Sequence, residues 1–130
     1  LPRQRSDLNI PSEQLAVLRE AMLADTEEPE GTAYQAFHEA DRVTPRLKGF
    51  RVGGKTGTAQ IKEGRRVVEN IAWFTSFGPG DHPRYVVVVM VESGPSGGGI
   101  CAPVACKVFQ AIQKRLVPIA PPAPALAAKE

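Results

Sequence analysis

The sequence has few cysteines and histidines and lacks a long apolar run. Its 130 residues include 2 cysteines and 2 histidines. His38 and His82 are far apart in the chain, and this pattern does not match the ligand spacing of a metal site. No apolar run approaches the roughly 20 residues of a membrane-spanning helix. We therefore predict neither a metal centre nor a membrane span within these residues.

The two cysteines, Cys101 and Cys106, fall near the start of a predicted helix. Two residues at this spacing on one helix have Cα atoms roughly 8 Å apart. A disulfide spans at most about 7 Å between Cα atoms. The sequence therefore predicts two unpaired thiols rather than a bridge.

Charge of one sign is not concentrated anywhere in the chain. The formal net charge is +2, and only Arg65–Arg66 and Lys114–Arg115 are adjacent basic pairs. Aromatic residues make up 6% of the sequence, so few side chains are available to stack on bases. A nucleic-acid-binding surface needs a basic stripe and stacking platforms. We therefore predict no nucleic-acid partner.

Glycine, lysine and threonine are instead concentrated in residues 52–60, VGGKTGTAQ. Glycine weakens a strand and marks places where other groups approach the backbone closely. A lysine beside Thr56 and Thr58 suggests that an anionic group binds here. Two interpretations compete: residues 49–56 fit the P-loop pattern G-x-x-x-x-G-K-[ST], and Lys55–Gly57 fits the K-T-G strand of serine acyltransferases.

The surrounding sequence favours the second interpretation. A P-loop follows a buried apolar strand and opens a helix at its Lys-Thr pair. Upstream of Lys55 stands TPRLK, residues 44–48, which does not resemble a buried strand. Downstream, Gly57 and the QIKEG of residues 60–64 predict a strand that ends in a turn. The nucleotide-binding P-loop remains an alternative.

Helices are predicted at both ends of the chain. A first helix extends from Ser12, as its capping residue, to about Ala24, with Leu15, Leu18 and Met22 on one face. Thr32 and Gln35 match a capping box that opens a short helix to about Ala40. Pro103 is suited to the start of a closing helix, whose predicted core face is Val104, Val108 and Ile112.

Three strands are predicted between these helices: Arg51–Ile61, Val67–Phe77 and Arg84–Glu92. Turns rich in glycine and proline separate them. The apolar run of the third strand predicts burial on both of its faces. The fold class is therefore α+β, a three-stranded antiparallel meander packed by N- and C-terminal helices. Residues 1–117 form one domain, and the Pro/Ala-rich tail 118–130 is expected to be disordered.

The chain resembles a known family, the penicillin-binding protein transpeptidase domain. The likeness covers roughly residues 9–116 and is strongest to the C-terminal part of the monofunctional class B type. The segments that carry it are Gly54–Gln60, Ala72–Pro79, the strand Tyr85–Glu92, the glycines Gly97–Gly99 leading into Ala102–Val104, the helix ending at Met22 and the triplet Gly31–Ala33. The resemblance implies a partial β-lactamase/transpeptidase-like fold.

The resemblance also implies roles for single residues. Lys55 would supply positive potential and a proton-relay contact. Thr56 and Thr58 would bind the carboxylate of a peptidoglycan stem peptide, and the Thr58 backbone N–H would donate in the oxyanion hole. Gly57 would leave room for the substrate backbone. In this family a serine of an S-x-x-K motif forms the acyl-enzyme, β-lactams acylate the same serine, and no metal or organic cofactor takes part.

The sequence departs from the family in one respect. None of its serines begins an S-x-x-K or an S-x-N motif, and without the nucleophile no acyl-enzyme forms. We therefore expect the nucleophile in an upstream half of the domain, outside this chain, and expect the chain alone to be inactive. The family implies a periplasmic or extracytoplasmic location, with a membrane anchor outside this chain. A non-catalytic β-lactam-recognising or scaffold module is a further alternative.

Overall fold

The structure is a computed structural model that describes residues 9–116. The lead-in before Asn9 and the tail predicted to be disordered lie outside this range. The elements in chain order are helix α1 (Ser12–Glu27), helix α2 (Tyr34–Phe37), strands β1 (Gly53–Glu63), β2 (Arg66–Gly78) and β3 (Tyr85–Glu92), a π-helical turn (Gly97–Cys101) and helix α3 (Ala102–Leu116).

The three strands form one antiparallel sheet in the order β1-β2-β3. Gly64, with a φ of 63°, makes the turn between β1 and β2, as predicted for the hairpin. The observed bounds differ from the predicted ones by at most a few residues. The α+β class and the meander are therefore confirmed.

Side chains alternate between the two faces of the sheet. On one face, here called the covered face, Ala72 and Phe74 of β2 are fully buried and β3 contributes Val87, Val89 and Val91 to the same apolar cluster. Helix α3 adds Phe109, whose ring lies 5.9 Å from that of Phe50. This cluster is the hydrophobic core of the described chain.

The other face, here called the open face, exposes Trp73 of β2 and Val86, Val88 and Met90 of β3. The register confirms that Trp73 lies beside Met90. The prediction that β3 is buried on both faces was wrong. Its burial alternates along the strand, because the helices of the described chain cover only one side of the sheet.

The helical faces were also predicted incorrectly. In α3 the buried residues are Ala102, Ala105, Cys106 and Phe109, whereas Val104 and Val108 are exposed. The large Phe109 ring fixes the rotation of the helix, and the small residues one turn before it permit close approach to the sheet. The predicted core face was therefore wrong for Val104 and Val108 and right for Ile112, which packs against the core.

Helix α1 extends to Glu27, beyond the predicted end at Ala24, and buries only Leu23 and Thr26. Leu15 and Leu18 are exposed, and Leu15 borders an open groove against residues 80–82 rather than the core. The predicted cap at Ser12 was wrong: the capping position is Pro11, and no side chain caps the helix.

Two contacts join the C-terminal end of α1 to the start of β1. The Thr26 hydroxyl is within hydrogen-bond distance of the carbonyl oxygens of Leu23 and Val52, which share its single proton. The Arg51 guanidinium donates to both oxygens of the Glu27 carboxylate, each at 2.8 Å, and these hydrogen bonds raise the pKa of Arg51. The helix terminus therefore positions the N-terminal end of β1.

The predicted capping box at Thr32 was wrong as well. Helix α2 ends at Phe37, and its capping residue Ala33 is not bonded by a side chain. The helix stops short of Ala40 because His38 pairs with Pro45 in an isolated bridge. The Thr32 side chain instead contacts groups of the candidate site.

Cys101 and Cys106 are both free and buried, which confirms the prediction of unpaired thiols. Burial raises the pKa of the Cys106 thiol to about 11. Burial raises the pKa of Cys101 as well. These thiols pack as small apolar groups of the core.

Candidate functional site

The predicted site residues line one open cleft of about 440 Å³ at the edge of the sheet. Strand β1 contributes Lys55, Thr56, Gly57 and Thr58. The opposite wall is formed by residues 96–99 with Thr32. We call this the K-T-G-T cleft. All four residues predicted from the sequence are therefore brought together.

The side chains of these residues lie on different faces of β1. Thr56 pairs with the buried Phe74 and Thr58 with the buried Ala72, so both threonines belong to the covered face. Lys55 pairs with the exposed Thr75, on the open face. Its Nζ atom donates to the carbonyl oxygen of Thr56 at 2.6 Å. The ammonium is thereby held against the edge of β1.

The P-loop interpretation is wrong. Lys55 and Thr56 lie within the 11 residues of β1, where a P-loop requires the first turn of a helix. Their backbone amides belong to a strand and therefore cannot form the N-terminus of a phosphate-binding helix. The geometry leaves the K-T-G strand as the interpretation that fits.

The glycine run Gly97–Gly99 forms a wall of the cleft. It lies in the π-helical turn, and the hydroxyl oxygen of Ser96 accepts a hydrogen bond from the Gly99 amide at 3.0 Å. A Cβ atom on Gly97 would stand 2.1 Å from the carbonyl oxygen of Trp73 and 3.0 Å from that of Gly57. Only glycine permits the turn to lie this close to β1 and β2.

The glycines of β1 serve two different purposes. A Cβ atom on Gly54 would stand 2.2 Å from the ring of Phe74, and one on Gly53 would stand 2.5 Å from the ring of Phe77. At these positions the close neighbours are aromatic rings of the same chain. A Cβ atom on Gly57 would meet only the Cβ of Trp73, at 3.7 Å. Packing among residues 9–116 therefore does not require glycine at position 57.

A chain of hydrogen bonds connects the end of α1 with the cleft. The Asp25 Oδ1 atom accepts from the Thr32 amide at 2.9 Å and from the Thr32 hydroxyl at 2.7 Å. The Thr32 and Thr56 hydroxyl oxygens are 2.6 Å apart. The second oxygen of Asp25 is buried and makes no hydrogen bond within the described residues.

Sequence reasoning missed the roles of Asp25, Thr32 and Ser96. The signal for the opposite wall was present in the three consecutive glycines, because such a run marks close approach to another backbone. Asp25 gave no signal, since it stands in an acidic segment that looks like an ordinary solvent-facing turn. Its contact with Thr32 depends on the way the chain turns back after α1.

Residues 9–116 contain no group of three or more histidine, cysteine, aspartate or glutamate side chains that could hold a metal ion. Over the same range, every helix is too short or too polar to cross a bilayer.

Comparison with known proteins identifies the family. Residues 2–110 match the model of the penicillin-binding protein transpeptidase domain. Stage V sporulation protein D of Bacillus subtilis is 36% identical over 105 residues, which cover 76% of this chain and 14% of that protein. Peptidoglycan D,D-transpeptidase MrdA of Haemophilus influenzae is 36% identical over 90 residues, covering 61% of this chain and 13% of that protein.

Solved structures agree with the sequence comparisons. Pseudomonas aeruginosa PBP2 superposes with a TM-score of 0.59 and 29% identity, over 82% of this chain and 20% of that chain. The transpeptidase domain of FtsI4 from Legionella pneumophila superposes with a TM-score of 0.58 and 25% identity, over 82% of this chain and 37% of that chain. The similarity therefore extends over most of the described fold.

The chain belongs to the penicillin-binding protein transpeptidase family. Within that family it corresponds to part of a class B transpeptidase domain. It spans about one seventh of the length of the curated relatives that it matches.

Proposed function

We propose that this chain supplies the carboxylate-binding strand of a peptidoglycan D,D-transpeptidase. The observation that carries the proposal is the K-T-G-T cleft: Lys55, Thr56, Gly57 and Thr58 line one groove at a sheet edge. An ammonium and two hydroxyls beside an open groove suit the terminal carboxylate of a stem peptide or the carboxylate of a β-lactam.

The free edge of β1 supports an oxyanion-hole role for the Thr58 amide. In an antiparallel ladder, alternate residues of an edge strand direct their N–H and C=O groups away from the neighbouring strand. The Thr56 carbonyl accepts from Lys55 Nζ, which is consistent with Thr56 and Thr58 belonging to the outward set. An amide at that position stabilises negative charge on a carbonyl oxygen held in the cleft.

The proposed reaction uses a serine outside this chain. Its Oγ atom gives up its proton and attacks the penultimate D-Ala carbonyl; an ester bond forms, the peptide bond to the terminal D-Ala breaks, and the departing amine takes up the proton. The amine of a second stem peptide then attacks the ester; a new peptide bond forms, the ester bond breaks, and the proton lost by the amine returns to the serine. In this scheme Lys55 provides positive potential and a proton-relay contact, Thr56 and Thr58 hold the carboxylate, and Gly57 admits the substrate backbone.

The same proposal covers partners and location. The substrate is a peptidoglycan stem peptide, β-lactams bind in its place, and the upstream half of the domain supplies the Ser-x-x-Lys and Ser-x-Asn motifs. Relatives named as peptidoglycan D,D-transpeptidases support an extracytoplasmic site of action, reached through a membrane anchor outside this chain.

A fluorescent penicillin tests the proposal. We expect covalent labelling of the protein that carries this chain together with the rest of the domain, and none of the 130-residue chain alone. Lys55→Ala is expected to slow labelling by about 100-fold, the order of effect for an electrostatic group of an active site. Lys62→Ala, an exposed lysine at the far end of β1, is the matched control and should label normally.

The second candidate is a non-catalytic β-lactam-recognising or scaffold module. The observation in its favour is that no serine of this sequence begins an S-x-x-K motif. Under this alternative, the protein containing this chain binds penicillin reversibly or not at all. Labelling that resists denaturation and is lost in Lys55→Ala would rule it out.

A further inference from the structure

The hydrogen bonds between Asp25, Thr32 and Thr56 fix which hydroxyl is the donor. Oδ1 of Asp25 accepts from both the amide and the hydroxyl of Thr32. A threonine hydroxyl has a single proton, and that of Thr32 is directed at Asp25. The bond of 2.6 Å between the Thr32 and Thr56 hydroxyls therefore requires Thr56 to be the donor.

This direction has a consequence for the cleft. Once its single proton is donated to Thr32, the Thr56 hydroxyl offers only lone pairs to a ligand. A carboxylate is an acceptor and needs donors. The orientation that these hydrogen bonds imply is thus the opposite of the one that a carboxylate requires from Thr56.

We propose that Asp25 is a positioning residue that, through Thr32, holds the Thr56 hydroxyl proton away from the cleft and so weakens carboxylate binding. The inference rests on the proposed function, because it concerns how a carboxylate is recognised in the same cleft. A carboxylate ligand must break the bond from Thr56 to Thr32 before Thr56 can donate to it. Without the Asp25 acceptor, Thr32 can donate to Thr56, and Thr56 can then donate to the ligand.

The loop after α2 contains a second aspartate–threonine pair, Asp41 and Thr44, that serves as a control for Asp25 and Thr32. Asp41 accepts from the Thr44 hydroxyl at 2.6 Å and from the amides of Thr44 and Val43. The hydrogen bond from the Thr44 hydroxyl, followed by those from the two amides, lowers the pKa of Asp41 to about 2. Asp41 thus repeats the aspartate–threonine contact, but its threonine, Thr44, does not line the K-T-G-T cleft, whereas Thr32 does.

The experiment compares a penicillin with its own methyl ester. The two compounds share the reactive ring and differ in the carboxylate, so the ratio of their acylation rate constants reports carboxylate recognition alone. A general loss of structure lowers both rates together and leaves the ratio in place. The protein used is the one that carries this chain with the rest of the transpeptidase domain.

We expect Asp25→Ala to raise the acid-to-ester ratio about fivefold, the size of one net hydrogen bond. Asp25→Asn keeps an oxygen that can accept from Thr32 and should retain most of the wild-type ratio. Asp41→Ala should not change the ratio. These three results together support the inference.

Other outcomes overturn it. An unchanged or lowered ratio in Asp25→Ala means that the direction of the hydrogen bonds does not limit carboxylate binding. An equal rise in Asp25→Asn assigns the effect to the negative charge of Asp25 instead. If wild type reacts with neither compound, the proposed function fails and the inference fails with it, whereas normal labelling of wild type with a wrong ratio in the variants overturns the inference alone.

Discussion

Phe74 and Trp73 are adjacent residues of β2 with opposite surroundings. Phe74 lies on the covered face and is 0% exposed, while Trp73 lies on the open face and is 39% exposed. On β3 the same contrast separates Val89, which packs against the core, from Val88, which is 53% exposed. Both faces are apolar in sequence, and only one has helices of the described chain over it.

Apolar composition alone therefore does not predict which face of this sheet is covered by the helices. An apolar face that stays open in residues 9–116 is a surface suited to a partner element. The contribution of each face to stability should therefore differ strongly, and this difference can be measured with paired substitutions at neighbouring positions.

The largest expected difference is between the two aromatic residues of β2. Phe74→Ala should lower the free energy of unfolding by about 3–5 kcal/mol, the range for a buried phenylalanine truncated to alanine. Trp73→Ala should lower it by about 1 kcal/mol, since part of its ring is already in water. Urea unfolding of the two variants measures the difference. Equal losses would show that the open face is covered in solution.

Glycines of β1 provide a smaller test of the same contrast. Gly54→Ala would place a methyl group 2.2 Å from the Phe74 ring, and overpacking of this kind costs about 1–3 kcal/mol. Gly57→Ala has ordinary contacts and should leave the free energy of unfolding nearly unchanged. Thermal unfolding measures both variants. A loss at Gly57 as large as that at Gly54 would contradict the geometry of β1.

The smallest expected effects are at the valines of β3. Val89→Ala removes methyl groups from the core cluster and should cost about 1 kcal/mol. Val88→Ala, on the open face, should change the free energy of unfolding by less than about 0.5 kcal/mol. The urea midpoints of the two variants, measured at equal protein concentration, show which substitution costs more. If Val88→Ala is the more damaging substitution, the assignment of the two faces is reversed.

Much of the fold could be predicted because short-range chemistry determines it. Gly64 and the prolines before β3 separate the strands, and the alternation within the strands is local. The helical faces could not be predicted in the same way. Val104 and Val108 form a regular apolar stripe, yet Phe109 decides the rotation of α3 through its contact with Phe50, which is distant in sequence.

The site was predictable to the extent that it is contiguous. Lys55, Thr56, Gly57 and Thr58 are neighbours in the chain, so one stretch of sequence revealed one wall of the cleft. The other wall forms because two segments distant in sequence come close to β1: Thr32 contacts Thr56, and Gly97 lies against Gly57. The three consecutive glycines mark one of these places as a close approach to another backbone, but strand register and the turn after α1 determine which groups are approached, and these leave no local pattern in the sequence.

The position of Lys55 on an outer strand also affects how this protein meets other copies of itself. An unpaired strand edge invites intermolecular β-pairing, and a lysine there is one of the common safeguards against it. The Lys55 ammonium bonds to the Thr56 carbonyl, a backbone group that would otherwise be free to join another strand. Replacing this lysine with an apolar residue should therefore reduce solubility.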